Sequence, residues 1–262
     1  MTNLLKQKLA DGGFALGAGV NFNRNPAVVR IIAAAGYDFV FVDMQHSSLD
    51  LETVSAMCEV ARAEGLVPLV RPAHKIPDLV GRVLDVGATG IMMHDVRPGD
   101  DVLGARERML YPPDGSRGSF YGGVFDYRGA PSVEALAAVN DSLTLVVQVE
   151  SLEAVEGIED IVEGGGIDVV EVGRLDLACA LGVPGEKGHP RVLRAVDTVV
   201  EVCTRHGIPV GVGCASPEDA AQLADRGCRF LLYPMDLSLL MNGYSASARV
   251  LRSLAGRDVG VA

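Results

Sequence analysis

The chain has no tryptophan, and aromatic residues make up only 5% of its 262 residues. Proteins that bind single-stranded nucleic acid stack bases on aromatic side chains beside basic ones. Lys and Arg number 23 against 34 Asp and Glu, and the formal net charge is -11. A phosphate-binding surface needs clustered positive charge, which this sequence lacks. We therefore expect no nucleic-acid partner.

Long apolar runs are also missing. No uninterrupted apolar stretch approaches the ~20 residues that span a bilayer. The amino terminus, MTNLLKQKLADGG, lacks the long apolar segment of a signal peptide. We expect a protein without membrane contact that resides in the cytoplasm.

Cysteine pairs of the CxxC type are absent. The odd number of scattered cysteines indicates neither a disulfide framework nor a zinc site, and predicts reduced and mostly buried thiols. These residues are Cys58, Cys179, Cys203, Cys214 and Cys228.

Apolar segments rich in β-formers recur along the chain. Stretches between them, such as PAVVRIIAAAG and LETVSAMCEVARAEG, place apolar residues at helical spacing and often end on glycine. Eight strands are predicted, at residues 14–20, 38–43, 66–71, 89–94, 143–150, 167–172, 208–213 and 230–233.

Eight strand–helix units in a chain of this length favour one (β/α)8 barrel domain over residues 1–262. A dinucleotide-binding fold is the main rival. Its glycine fingerprint is incomplete in GAGVNF, which has Phe22 where a third glycine is needed, and no GxxxxGK[ST] motif occurs. The turn-rich stretch YPPDGSRGSFYGGVFDYRGAP has the composition of a lid that covers an active site.

Polar residues follow several predicted strands. In a barrel the carboxyl ends of the strands converge on one rim, where active sites are built. Strand two ends at Asp43 with His46 following, strand three at Arg71, strand five at Glu150, and Asp176 follows strand six. His94 and Asp95 follow strand four, and Asp85 reaches the rim only if the barrel places it there.

The residue types at this rim suit chemistry on a keto acid. Glu150 and Asp176 form a plausible site for Mg2+ or Mn2+, which prefer oxygen ligands. Arg71 is able to hold a carboxylate, and His46 to exchange a proton near neutral pH. Taken singly, each acid is equally explained as a helix cap or a solvated loop group, His46 as a structural residue, and Arg71 as an ion-pair partner. A lysine Schiff base is disfavoured because no lysine lies in a predicted strand, Lys75 being the sole one near the rim.

Several segments together support a family resemblance. FVFVDMQHSSLD, LVRP, LDVGATGIM, MLYPPDGSRGS, LVVQVES and VGRLDLACALG occur in this order from about residue 17 to residue 241. Their order and spacing resemble the metal-dependent, class II pyruvate aldolases of the 4-hydroxy-2-oxo-heptanedioate aldolase family. The combination is far more specific than any single segment.

The resemblance implies a (β/α)8 barrel with a divalent metal on Glu150 and Asp176, with Mg2+ or Mn2+ as the first candidates and Co2+ as a third. It assigns Arg71 to a substrate oxygen and His46, supported by Asp43 and Asp85, to proton transfer. It also implies that Gln148 lies beside the metal and that amides at Leu175 and Asp176 meet the pyruvate carboxylate. Family members commonly exchange the eighth helix and assemble as trimers of dimers, so a homohexamer is expected.

Three positions depart from the family pattern. Gln45 stands where an acid is usual, which removes one negative charge near the metal. Arg174 stands where a small residue or proline is usual, and is a candidate to bind a second substrate carboxylate or to pair with an Asp or Glu of the chain. His94 replaces a usual proline, and Arg117 is a further candidate for a distal acidic group.

Three functions are therefore carried forward. The first is a carbon–carbon lyase that cleaves a 4-hydroxy-2-oxo acid to pyruvate and an aldehyde, or joins them. The second is a condensing enzyme of the citrate-synthase type, or a decarboxylase, acting on an oxaloacetate-like substrate in the same site. The third is a catalytically silent barrel that binds an acidic metabolite or a protein partner.

Overall fold

Eight parallel strands form a closed barrel in the order in which they occur along the chain. The computed structural model describes residues 3–74, 77–100, 102–120, 122–128 and 132–254. The predicted (β/α)8 fold is confirmed, and each predicted strand end lies within about two residues of the observed one. The strands are β1 (Ala15–Val20), β2 (Phe39–Asp43), β3 (Val67–Arg71), β4 (Gly90–Met93), β5 (Thr144–Val149), β6 (Val169–Val172), β7 (Val210–Gly213) and β8 (Phe230–Met235).

Helices connect successive strands and surround the barrel. Their starts carry side-chain caps that satisfy free backbone N–H groups, as Asp50 does for Thr53 and Ser216 for Asp219. The helices are α1 (Leu4–Ala10), α2 (Ala27–Ala34), α3 (Leu51–Ala63), α4 (Pro77–Asp85), α5 (Val102–Met109), α6 (Val133–Ser142), α7 (Leu152–Glu156), α8 (Ile158–Glu163), α9 (Arg174–Ala180), α10 (Pro190–Arg205), α11 (Pro217–Asp225) and α12 (Asp236–Leu254), with a short 3-10 turn at Gly123–Phe125.

The period of two along each strand separates two apolar cores. In β2, Phe39 and Phe41 belong to the core inside the barrel, whereas Val40 and Val42 belong to the core between barrel and helices. Both sets are buried, which explains why FVFV is a continuous apolar run and does not alternate with polar residues. By the same period, Asp43 faces the inside of the barrel.

The amino-terminal end of the barrel is filled and closed. Leu5 and Leu9 of α1 pack into the interior core, where the rings of Phe39 and Phe230 stack at a centroid distance of 4.3 Å. Aromatic stacking of this kind adds to the stabilisation from buried area. The open end of the barrel interior is therefore its carboxyl-terminal end, where polar side chains and a ligand have room.

The proposed lid lies at the wrong end of the barrel to cover that rim. Arg62, near the end of α3, donates to the Gly123 carbonyl and forms an ion pair with Asp126 at 2.6 Å. Because α3 runs back from the rim, its last turn lies at the amino-terminal end. Within one chain, residues 111–120 and 122–128 therefore do not cover the rim. Turn-rich composition does not reveal which end of a barrel a loop covers.

In the described ranges, no helix has both the length and the apolar composition to cross a bilayer.

Candidate active site

The interior of the barrel changes from apolar to polar at its carboxyl-terminal rim. In each of four strands the inward-facing series passes from an apolar residue to a buried polar one. The final residues are Asp43 in β2, Arg71 in β3, Gln148 in β5 and Glu171 in β6. The strand-end clustering predicted from sequence is thus present in the structure.

Arg71 is the centre of a hydrogen-bond chain across this rim. Its Nε and Nη2 donate to Oδ1 and Oδ2 of Asp43 at 2.9 and 2.7 Å, and its Nη1 donates to Oε1 of Gln148 at 3.0 Å. All three side chains are buried. A bidentate contact of this kind fixes the plane of the guanidinium, so the position of Arg71 is set before any ligand arrives.

Asp43 also shapes the turn that carries His46. Its Oδ1 accepts from the amide of Gln45 at 2.9 Å and from the amide of His46 at 3.4 Å. The His46 side chain is exposed on the rim. Asp43 therefore supports His46 through the backbone of the turn.

Glu150 follows β5 and is 9% exposed. Its Oε1 accepts from the amide of Asp95 at 2.9 Å. Burial, followed by the charges of Glu171 and Asp176, raises its pKa to about 7, against an opposing effect of Arg71. A Cβ added at Gly173 would lie 2.7 Å from Oε2 of Glu150, so a glycine is needed at that point for the carboxylate to fit.

Helix α9 directly follows β6, so its first turn lies at the carboxyl-terminal rim of the barrel. Asp176 lies in this first turn and is exposed, as is Leu175. The N-cap position, Gly173, has no side chain to bond the first amides. No side chain at the N-cap therefore bonds the first amides of α9, and the role of the Leu175 and Asp176 amides stays a prediction.

The pair Glu150 and Asp176 fits a divalent cation through its chemistry. Burial and two neighbouring carboxylates raise the pKa of the Glu150 carboxyl. A positive charge bound at this point would offset the repulsion between the carboxylates. Among the described residues, no group of three or more His, Cys, Asp or Glu side chains is arranged to hold a metal ion. Two carboxylates with the remaining positions left for water and substrate agree with the ligand habits of Mg2+.

Glu171 is a site residue that the sequence analysis missed. It is 3% exposed, and its Oε1 accepts from the amide of Gly213 at 3.1 Å. Burial raises its pKa, and Arg71 opposes this effect. The sequence VVEV reads as a buried strand, and only the period of two, which places Val169 and Glu171 on the same inner face, could have identified it.

The expectation that Arg174 binds a substrate carboxylate does not match its position. Its side chain is buried and forms an ion pair with Asp219, with Nη1 at 3.1 Å from Oδ1. Nη2 also donates to the Gly213 carbonyl at 2.8 Å. The guanidinium is committed to the chain's own acceptors, which is the other alternative that the sequence left open.

Asp85 and Arg117 lie away from the rim. Asp85 is the last residue of α4, which runs back towards the start of β4, so it lies at the amino-terminal end of the barrel. There it pairs with Nη2 of Arg117 at 2.7 Å, and the Arg117 guanidinium lies over the ring of Tyr111. Within one chain, Asp85 therefore cannot support His46, nor can Arg117 reach a ligand at the rim.

Of two further residues singled out in the sequence, the structure describes His94 and not Lys75. His94 lies just past β4, with its Nδ1 at 3.1 Å from Nε2 of Gln45. Lys75, the lysine considered for a Schiff base, lies outside the described residues.

Comparison with known proteins identifies the class. Residues 22–243 match the family model described as HpcH/HpaI aldolase/citrate lyase. The hydroxypyruvate/pyruvate aldolase of Roseovarius nubinhibens is 30% identical over 239 residues, which cover 91% of this chain and 93% of that protein.

Solved structures agree with this match. An HpcH/HpaI aldolase from Desulfitobacterium hafniense has a TM-score of 0.92 and 30% identity, covering 98% of this chain and 100% of the other. The citrate synthase SbnG has a TM-score of 0.85 and 27% identity, covering 97% and 99%.

The barrel and its polar rim are those of an enzyme that works on carbon–carbon bonds. The chain belongs to the HpcH/HpaI aldolase/citrate lyase family and is an aldolase, a carbon–carbon lyase of the pyruvate class.

Proposed function

We propose that this aldolase cleaves 4-hydroxy-2-oxo acids to pyruvate and an aldehyde, and joins the two in reverse, through the enolate of pyruvate. The observation that carries the proposal is the buried Arg71, held in plane by Asp43 and Gln148 beside the carboxyl of Glu150. An anchored cationic donor next to a cation-binding carboxylate suits a 2-oxo acid, which presents a carboxylate and a keto oxygen side by side.

Glu150 and Asp176 are proposed to hold the divalent metal, with Mg2+ or Mn2+ as the first candidates and Co2+ as a third. When bound, such a cation supplies positive charge where negative charge develops on the keto oxygen. No lysine is then required for this stabilisation.

Arg71 is proposed to donate to a substrate oxygen. Its Nη groups already bond Asp43 and Gln148, so its orientation is set without the cost of ordering a mobile side chain. Gln148 lies beside Glu150 and is proposed to share in substrate contact. The amides of Leu175 and Asp176 are proposed to receive the substrate carboxylate at the uncapped start of α9.

His46 is proposed to move the proton. An exposed imidazole on the rim is able to take a proton from the methyl group of pyruvate and to return one to the product. Asp43 holds the turn that presents it. Any contact between His46 and Asp85 needs a second copy of the chain, because the two residues lie at opposite ends of one barrel.

A homo-oligomer is proposed on the evidence of α12. All of residues 237–253 are exposed except the half-buried Ser245, and the exposed set includes Leu239, Met241, Tyr244 and Leu251. A 19-residue helix that exposes this many large apolar side chains to water is typical of a surface that a partner covers. We propose that α12 is exchanged between subunits of a hexamer, a trimer of dimers, that acts on small-molecule substrates in the cytoplasm.

Condensation or decarboxylation of an oxaloacetate-like substrate is a second candidate, favoured by the likeness to a citrate synthase structure. A silent barrel that binds an acidic metabolite is a third. Incubation of the metal-loaded protein with 4-hydroxy-2-oxo acids separates them by products. Pyruvate and an aldehyde support the lyase, carbon dioxide or free thiol from the alternative substrates supports the second candidate, and no product with either supports the third.

A further inference from the structure

Glu171 lies inside the barrel, in the same layer at the rim as Gln148. It faces inward from β6, in register with Gln148 on β5 and with Gly211 on β7. Its Oε1 accepts from the Gly213 amide at 3.1 Å. Its Oε2 is buried and lacks a well-formed hydrogen bond within the described ranges, although the adjacent Gln148 side chain acts to lower the pKa of Glu171.

A carboxyl group in this position, without a cation nearby, lowers the free energy of unfolding. A buried polar atom without a partner destabilises the folded state relative to a satisfied one, and does so more strongly if it is charged. The preceding inward residue of β6 is Val169, part of the apolar interior core. An apolar side chain at position 171 would continue that core without the cost.

The surrounding charges do not neutralise Glu171. Arg71 is paired with Asp43, and Arg174 is paired with Asp219. Each nearby guanidinium therefore already has its own carboxylate. Within the described ranges, Glu150, Asp176 and Glu171 form no ion pair of their own, and the charges of Glu171 and Asp176 raise the pKa of Glu150 against the opposing effect of Arg71.

We infer that Glu171 is a positioning residue whose negative charge strengthens the binding of a divalent cation at Glu150 and Asp176, without contacting the cation itself. This inference rests on the proposed function. Gln45 is neutral where the family resemblance leads us to expect an acid, and Glu171 supplies a negative charge from the interior of the same rim. The unpaired Glu171 carboxyl therefore lowers the stability of the cation-free protein and raises its affinity for the cation.

Binding of Mn2+ to the full-length protein tests the inference directly. Manganese affinity is measured by loss of the free Mn2+ electron paramagnetic resonance signal, and Tm is measured in chelator. Glu171→Gln keeps the shape and removes the charge, Glu171→Asp keeps the charge and shortens the side chain, and Glu171→Met replaces the group by an apolar one. Glu201→Gln, an exposed change on α10, controls for the loss of one charge.

Replacement of Glu171 by Met should change Mn2+ affinity and Tm in opposite directions. Glu171→Gln and Glu171→Met should weaken Mn2+ binding about 10- to 100-fold, as loss of groups behind metal ligands commonly does. Glu171→Asp should retain most of the affinity, and Glu201→Gln all of it. In chelator, the Tm of Glu171→Met should rise, because the unpaired buried carboxyl is gone. A residue needed only for packing would lower Tm in the Met and Asp variants alike.

Two results would overturn the inference and are distinguishable. Unchanged Mn2+ affinity in the folded Gln and Met variants removes Glu171 from the cation site and leaves the proposed function intact. Absence of Mn2+ and Mg2+ binding by the wild-type protein refutes the proposed metal dependence, and the inference fails with it.

Discussion

The Gln45 amide and the His94 imidazole are in contact, with Nε2 at 3.1 Å from Nδ1. These are two of the positions at which the chain departs from the aldolase pattern, so the departures form one interaction. Gln45 directly precedes His46. His94 directly precedes Asp95, whose amide holds Oε1 of Glu150. The contact thus joins the loop of the proposed base to the loop that positions the proposed metal ligand.

A double-mutant cycle measures this coupling. Gln45→Ala and His94→Ala should each lower the free energy of unfolding, and the double variant should lose less than the sum of the two by about 0.5–1.5 kcal/mol. Urea unfolding of the four proteins gives the value. Strict additivity would show that the two loops are energetically independent.

The stability of the metal-free protein should fall as pH rises. The pKa of Glu150 in the folded protein is about 7, above its ordinary value of 4.5. The folded protein therefore keeps a proton that the unfolded chain has lost. The contribution is fully present below about pH 4.5, decreases as pH rises and is lost through pH 7, for a total on the order of 3 kcal/mol.

Urea unfolding in chelator at a series of pH values between about 5 and 8 checks this dependence. Glu150→Gln should flatten part of the slope because its amide does not titrate, and added Mn2+ should restore stability at the upper end of the series. A wild-type stability that rises steadily with pH in chelator would contradict the raised pKa.

Arg174 should matter for stability and not for substrate choice. Arg174→Ala removes a buried guanidinium and leaves the half-buried Asp219 without its cation, which should cost about 1–3 kcal/mol. Arg226→Ala is the matched control, because Arg226 forms an exposed pair with Asp197 and should cost less than about 1 kcal/mol. Equal losses in urea unfolding would show that the Arg174 pair has no special weight. A selective rise in KM for substrates with a second carboxylate would return Arg174 to the substrate site.

Only one cysteine should react in the native protein. Cys179 is exposed, whereas the other four are buried. Burial raises the pKa of Cys58, Cys203 and Cys228 to about 12 and that of Cys214 to about 11. Iodoacetamide followed by mass spectrometry should find one label before denaturation and five after it. Rapid labelling at Cys214 would contradict the burial.

The strands were predictable because each is a local run of mostly apolar residues, and several of them end on a polar residue or are followed by one. Asp43, Arg71 and Glu150 could be placed for the same reason, since strand ends of a barrel share one rim. The errors concern relationships between distant parts of the chain. Arg174 has its partner Asp219 in the loop after another strand, and Asp85 lies at a helix end whose side of the barrel depends on the whole topology. Glu171 was missed because a buried strand read as VVEV gives no sign of which neighbours its carboxyl meets.

The central claim is that the rim around Arg71, with His46 as the base, removes a proton from pyruvate in the presence of a divalent cation. Deuterium uptake into the pyruvate methyl group, followed by proton NMR in heavy water, tests it without a second substrate. Wild type and the matched control His206→Ala, a surface histidine paired with Glu159, are compared with His46→Ala in chelator and in Mn2+ or Mg2+.

The account predicts cation-dependent exchange in wild type and His206→Ala, and a rate at least about 100-fold lower in His46→Ala with Mn2+ affinity unchanged. Exchange at the wild-type rate in His46→Ala would contradict the base assignment. Absence of exchange in wild type with either metal would contradict the enolate chemistry itself.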